Sequence, residues 1–268
     1  MSAMYTDTQS EFSSSDTHHF VAESRTSVDD VAARAAQLDH DFGALSAPAR
    51  LRHLQREIGQ GIVLTTGFGP ESQVIVHLLA KHDIPIDIVT LDTGRLFPET
   101  YKLWEDTERR YGLRIRAVYP RHEAVETLVE KHGVNGFYAS KEARLSCCYV
   151  RKVEPLSRAL AGANAWVTGV RGTQSARRAT AGFVGVDREH KVIKVNPLFD
   201  WSRDQVFEFV RKNGVPINSL HDKGFASIGC APCTRATRPG EPERAGRWWW
   251  EAGDKKECGL HLGHERPV

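Results

Sequence analysis

Between Gly61 and Thr168, short apolar runs alternate with longer amphipathic ones, and this alternation leaves few folds open to the chain. Gly61–Thr66 (GIVLTT) predicts a strand, and Glu71–His82 (ESQVIVHLLAKH) a helix that Pro70 can open at its first turn. Ile86–Leu91 (IDIVTL) predicts a second strand, followed by a helix around Glu99–Tyr111. A third strand over Leu113–Tyr119, a helix over His122–His132, a helix at about 152–161 and a fourth strand over Ala165–Thr168 complete the series. Strands separated by helices pair in parallel through right-handed crossovers, so the expected fold class is α/β, a parallel sheet flanked by helices. Such sheets bind ligands beyond the carboxyl ends of their strands, where the strand order reverses.

The flanking segments read differently. Residues 1–45 are set apart as an N-terminal arm: Ser, Thr and Asp dominate up to about residue 27, where disorder is expected, and Val28–Leu38 has helical spacing. Residues 46–220 make the α/β domain, with a further helix over Ala49–Ile58, a hairpin of Phe183–Val186 and Val192–Val195, and a helix over Ser202–Asn213 with Ser202 as its N-cap. Residues 221–268 are rich in Gly, Pro, Arg, Cys and Trp without periodicity. A long irregular segment in a compact protein is either disordered or functional, and the Cys and Trp content favours function.

A net charge of +2 argues against nucleic-acid binding by bulk electrostatics, although it leaves room for a local anion site. No basic segment followed by an apolar run opens the sequence, so no secretory signal is expected, and no apolar run approaches the roughly 18 residues of a membrane span. The five cysteines are therefore expected in a reducing cytoplasm, where metal binding or catalysis is commoner than a disulfide framework. Five is odd, which leaves one thiol without a partner in the chain.

Several groups of residues carry chemistry. The turn Thr65–Thr66–Gly67–Phe68–Gly69–Pro70 joins a strand to a helix, and its backbone amides suit a phosphate or sulfate. It is neither a Walker loop nor a G-x-G-x-x-G fingerprint, and a plain strand–helix turn would also explain its glycines. Asp92 and Arg95, after the second strand, stand where they can meet a ribose or phosphate, although Asp92 also suits a simple turn. Cys147 and Cys148 are adjacent, and Cys230–Ala231–Pro232–Cys233 is a C-x-x-C. Four thiolates suffice for a structural zinc or an iron–sulfur cluster, whereas a thioredoxin-like dithiol would be expected between a strand and a helix. Lys152 brings a positive charge near these sulfurs. Cys258 is the leftover thiol; Lys255, Lys256 and His261 around it favour the nucleophilic thiolate. Arg171, Arg177 and Arg178 follow the fourth strand, and Arg235, Arg238, Arg244 and Arg247 surround the C-x-x-C and the Trp248–Trp249–Trp250 run. Guanidinium forks match phosphate and sulfate oxygens, which points to an anionic substrate over a merely solvated face.

These residues resemble the thioredoxin-dependent phosphoadenylyl/adenylyl-sulfate reductases over about 45–264. The resemblance is carried by L-D-T-G-R-x-x-P-E-T-Y (91–101), C-C-x-x-R-K (147–152), S-I-G-C-x-P-C-T-R (227–235), G-R-W-W-W (246–250) and K-E-C-G-L-H (256–261). It implies an adenine-nucleotide α-hydrolase-like fold related to ATP pyrophosphatases. Possession of both cysteine pairs resembles the branch that binds a [4Fe–4S] cluster and mostly takes adenylyl sulfate (APS) in place of its 3′-phosphorylated form (PAPS). Carried over, Cys147, Cys148, Cys230 and Cys233 would hold the cluster and Cys258 would be the nucleophile. Arg178, Arg244 and Arg247 would grip the phosphosulfate, with Lys152 between cluster and substrate. Thr65, Thr66, Gly67, Gly69, Asp92, Arg95, Arg171 and His261 complete the expected substrate site. Gly67 departs from the Ser-rich loop usual in the family, which puts side-chain contacts from that loop in doubt. The implied reaction releases sulfite and AMP with reduced thioredoxin as donor, in sulfate assimilation and cysteine biosynthesis, and a homo-oligomer is compatible with it.

Three rival readings exist. A cluster-bearing enzyme that takes PAPS needs only one more well-placed cation. A zinc-bearing thiolation enzyme of the pyrophosphatase-like fold should show an S-G-G-x-D-S-like loop, which T-T-G-F-G-P-E-S does not provide. A structural iron–sulfur protein leaves Cys258 within K-E-C-G-L-H unexplained.

Overall fold

The computed structural model describes residues 28–251 apart from Ala176 and Arg177. The expected arm over 1–27, Arg177, Lys255, Lys256, Cys258 and His261 thus lie outside the described residues. The order of elements is α1 (Val28–Phe42), α2 (Ala47–Ile58), β1 (Ile62–Thr66), α3 (Pro70–Lys81), β2 (Asp87–Leu91), α4 (Pro98–Tyr111), β3 (Arg116–Val118) and α5 (His122–His132). Then come α6 (Lys141–Cys148), α7 (Glu154–Ala159), β4 (Ala165–Val167), β5 (Val184–Asp187), β6 (Val192–Val195) and α8 (Arg203–Asn213).

The six strands form one sheet in the order β3-β2-β1-β4-β6-β5. All neighbours are parallel except the β5–β6 hairpin, which pairs Val184 with Val195 and Asp187 with Val192. Both faces are covered, and side chains alternate between them as the pleat requires. Ile62, Leu64, Ala165, Val167, Ile193 and Val195 enter the larger core beneath α1–α4 and α8, while Val63, Val89, Trp166 and Val192 enter a smaller one with Leu156 and Leu160. The first helix belongs to this body: Ala35, Leu38 and Phe42 are core residues, and Asp39 Oδ1 accepts the Val184 N–H at 2.8 Å.

Local chemistry sets the element ends. Ser202 caps α8 through a reciprocal pair with Gln205. The expected helix at 152–161 is instead the end of a longer run. Ser140 caps α6 by accepting from Ala143 N at 3.1 Å, and α6 passes through a π-helical turn at Tyr149–Val153 into α7. Pro155 has no N–H to offer the carbonyl of Arg151, and the backbone widens just ahead of it. Among the described residues, no helix is long and apolar enough to cross a membrane.

Candidate active site

The strand order reverses between β1 and β4, and a crevice of about 260 Å³ opens beyond their carboxyl ends. The β1–α3 turn forms one wall. Thr66 Oγ1 accepts the Phe68 N–H at 3.0 Å and donates to Ser72 Oγ at 3.0 Å, and Ser72 donates to the Gly69 carbonyl. This chain holds Phe68 in the left-handed region (φ 59°) while its ring packs in the core. Thr65 is turned to a structural use, accepting from Trp166 Nε1 at 2.8 Å. The Thr66 and Ser72 hydroxyls and the Phe68 amide are therefore spent internally, and Gly69, Pro70, Glu71 and Ser72 bring the N-terminus of α3 to the crevice. The opposite wall comes within van der Waals range only because Gly169 has no side chain. A Cβ there would stand 3.1 Å from both Glu71 Cβ and Ser72 N.

A buried ion network ties these walls to the C-terminal segment. Arg171, 1% exposed, donates through Nε to Glu71 Oε1 at 2.7 Å and through Nη2 to Glu243 Oε2 at 3.0 Å. Gln174 Nε2 also donates to Glu71 at 3.1 Å, and its amide oxygen accepts from Arg178. Glu71, a carboxylate at the edge of an anion-binding crevice, is thus compensated from behind. Arg178, Arg244, Arg247 and Lys152 line the crevice itself. Arg247 reaches it across Gly229: a Cβ at that position would lie 2.2 Å from its Nη2. His221 also lines the crevice. Its Nδ1 donates to the Phe225 carbonyl at 2.8 Å, and burial holds its pKa below the ordinary value.

The four cysteines Cys147, Cys148, Cys230 and Cys233 line one cavity on the far side of Cys230 and Lys152, and none of them is in a disulfide. Cys147 and Cys148 end α6, and the 230–233 turn is docked on the loop after β2. Ala231 N donates to the Arg95 carbonyl at 2.8 Å, Thr93 Oγ1 lies 3.3 Å from Cys230 Sγ, and Arg151 donates to the Thr93 carbonyl at 2.7 Å. Burial raises the Cys147 pKa, and burial with the neighbouring Cys230 pushes Cys233 up to about 12. Burial opposes ionisation of Cys230 too, but Lys152, the Thr93 hydroxyl and Arg247 outweigh it and hold that thiol below its ordinary value. Four desolvated thiolates repel one another unless a cationic centre sits among them, and an all-sulfur donor set beside Lys152, Arg144 and Arg151 suits an iron–sulfur centre. Among the described residues, no three His, Cys, Asp or Glu side chains converge as ligands of a single ion would.

Thr65, Thr66, Gly67, Gly69, Lys152, Arg178, Arg244 and Arg247 accordingly come together in the crevice. Three expected substrate residues do not line it. Asp92 accepts from Gly94 N at 2.9 Å and Tyr101 Oη at 2.8 Å, and so shapes the loop that seats the cysteines. Arg95 turns away, donating to Asn135 and the Val134 carbonyl with its guanidinium 5.3 Å over Phe137. Arg171 is spent on Glu71 and Glu243. Sequence reasoning missed Glu243, Gly169 and Gly229; for Gly229 the spacing to the C-x-x-C was the available signal.

A crevice at the switch point of a parallel sheet, walled by a helix N-terminus and several guanidinium groups, defines a nucleotide-binding α/β domain built for a strongly anionic ligand. Residues 61–236 match the phosphoadenosine phosphosulfate reductase domain, and the chain belongs to that family. It is 48% identical over 230 residues to an adenosine 5′-phosphosulfate reductase of Agrobacterium fabrum, covering 86% of this chain and 88% of that protein. It is 50% identical over 211 residues to the enzyme of the same name from Allochromatium vinosum, covering 79% and 82%. Among solved structures, the phosphoadenylyl-sulfate (PAPS) reductase of Candida auris in a phosphate complex superposes with a TM-score of 0.65 at 29% identity, covering 75% of this chain and 96% of that one.

Proposed function

We propose that the chain reduces adenylyl sulfate to sulfite and AMP in the cytoplasm, with reduced thioredoxin as electron donor. The observation that carries this reading is the shared wall: Cys230 and Lys152 line both the anion crevice and the four-cysteine cavity. A zinc-bearing thiolation enzyme has no use for that adjacency, and the relatives named above at 48–50% identity are adenosine 5′-phosphosulfate reductases.

The adenosine would enter at the switch point, with the phosphosulfate on the β1–α3 amides and on Arg178, Arg244 and Arg247. Lys152 brings its charge to the sulfate end. A [4Fe–4S] cluster held by Cys147, Cys148, Cys230 and Cys233 would tie α6 to the 230–233 turn and add to the field at the sulfate. The Cys258 thiolate attacks the sulfuryl sulfur; an S–S bond forms, the S–O bond to AMP breaks, and AMP departs with the electron pair. The arginines and amides meet the charge that develops on AMP. One thiol of reduced thioredoxin then attacks Cys258 Sγ and expels sulfite. The second thiol resolves the mixed disulfide, so the donor leaves oxidised and Cys258 is regenerated. Cys258→Ser should abolish sulfite release while iron content and the brown colour stay unchanged; colour lost with activity would count against this division of roles.

A further inference from the structure

Arg144 lies outside the crevice, yet its guanidinium is 1% exposed. It sits on α6, four residues ahead of Cys148, and Cys148 lies within its hydrogen-bonding reach. Its Nε and Nη2 make a bidentate pair with Glu251, at 2.7 and 2.9 Å, and Glu251 is itself 10% exposed. Its Cζ lies 4.8 Å from the centre of the Trp248 ring, which Arg247 approaches at 4.7 Å. Trp248 is fully buried, with a left-handed backbone (φ 44°) and its N–H on the Cys233 carbonyl at 3.2 Å. The segment 244–251 is therefore held at both ends. Arg244 and Arg247 reach into the crevice, and Glu251 is clamped to the helix that bears the paired cysteines.

Glu251 is the last described residue, and Cys258 follows it by seven positions. Seven extended residues span at most about 25 Å, so the place where the chain leaves Glu251 decides what Cys258 can reach. A buried fork–fork pair is expensive to assemble and weak as a source of stability, but it fixes geometry. We propose that Arg144 and Glu251 form a positioning pair that sets the origin of the Cys258-bearing segment relative to the bound phosphosulfate. The inference rests on the reading of Cys258 as nucleophile. The pair touches neither substrate nor reacting atoms. Its effect falls on the covalent step and not on nucleotide binding, because neither residue lines the crevice; Arg144 also lines the cysteine cavity, whereas Glu251 does not.

The test compares the wild-type holoenzyme with Glu251→Gln, which keeps shape and loses charge, and Arg144→Lys, which keeps charge and loses the fork. Three quantities are read: the single-turnover rate of S-sulfocysteine formation from APS, by mass spectrometry; AMP affinity; and iron per chain. Each variant should slow adduct formation by about 10- to 100-fold, the scale of a misplaced reacting group, with AMP affinity within twofold of wild type; Glu251→Gln, which leaves the cavity lining intact, should also keep iron content within twofold. Glu251→Asp, which can still reach the guanidinium, should recover part of the rate. Adduct formation at the wild-type rate in both variants would overturn the proposal. So would a loss of AMP affinity in either variant, or of iron in Glu251→Gln, in proportion to the rate, which would make the pair merely structural. If wild type itself forms no adduct on Cys258, the nucleophile assignment fails first and takes this inference with it; normal wild-type adduct with unslowed variants removes the positioning pair alone.

Discussion

Replacing Arg171 by Met tests whether the ion network behind the crevice carries the cost the geometry assigns to it. The guanidinium is 1% exposed and joins Glu71 and Glu243, whose side chains are 11% and 21% exposed. Met fills similar volume but leaves Glu71 with only the Gln174 amide, and Glu243 with only the partly exposed Arg203 at 3.4 Å, as partners in one partly dehydrated space. Removing one partner of a buried ion pair costs about 3–5 kcal/mol, well above the roughly 1 kcal/mol of a surface pair. For a chain of this size, that loss lowers Tm by about 6–20 °C. Affinity for AMP should fall as well, because Glu71 stands at the N-terminus of α3, where an anion is expected. The assay is anaerobic urea denaturation of wild type, Arg171→Met, and Arg171→Met combined with Glu71→Gln. The second change removes one orphaned charge and should return part of the loss, as coupled neighbours do. A single variant within 1 kcal/mol of wild type, or one that Glu71→Gln fails to rescue, would refute the reasoning.

Two further outcomes follow from the site. Gly229→Ala places a methyl group on the Arg247 guanidinium, so Arg247 must withdraw; APS and AMP affinity should drop about 10- to 100-fold while iron content holds, as binding titrations with the intact chromophore would record. His77 and His221 have pKa values lowered by burial, so each takes up its proton at lower pH in the fold than in the unfolded chain, which does so below about pH 6.5. Their linkage contribution is nil at higher pH. Stability then declines as pH falls below that value, by at most about 1.4 kcal/mol per pH unit for each proton. His221→Gln should flatten that decline in urea midpoints measured from pH 7 to 5.5; an unchanged slope would contradict the assignment.

The alternation from Gly61 to Thr168 was legible because burial on both faces of a parallel sheet forces short, continuous apolar runs, and the switch point followed from connectivity. Ser202 was legible as a cap because capping needs only a hydroxyl three residues ahead of an amide. The continuous run from α6 to α7 was not, because its π turn depends on how Pro155 is accommodated, and α6 carries no long apolar period. In the site, residue type announced the cysteines, Lys152 and the arginines of the crevice. Partners did not announce themselves. Asp92, Arg95 and Arg171 have the right chemistry at the right edge of the sheet, yet each is claimed by a neighbour distant in sequence or by the turn it builds. Glycines that matter by what they leave room for, such as Gly169 and Gly229, can be found only once the opposing chain is in place.

The most direct test of the account is sulfite release from APS and from PAPS by anaerobically purified protein with reduced thioredoxin, read beside its visible spectrum and iron content. The account predicts a brown protein that turns over APS far faster than PAPS. A colourless zinc protein with neither activity would contradict both the cluster and the reaction.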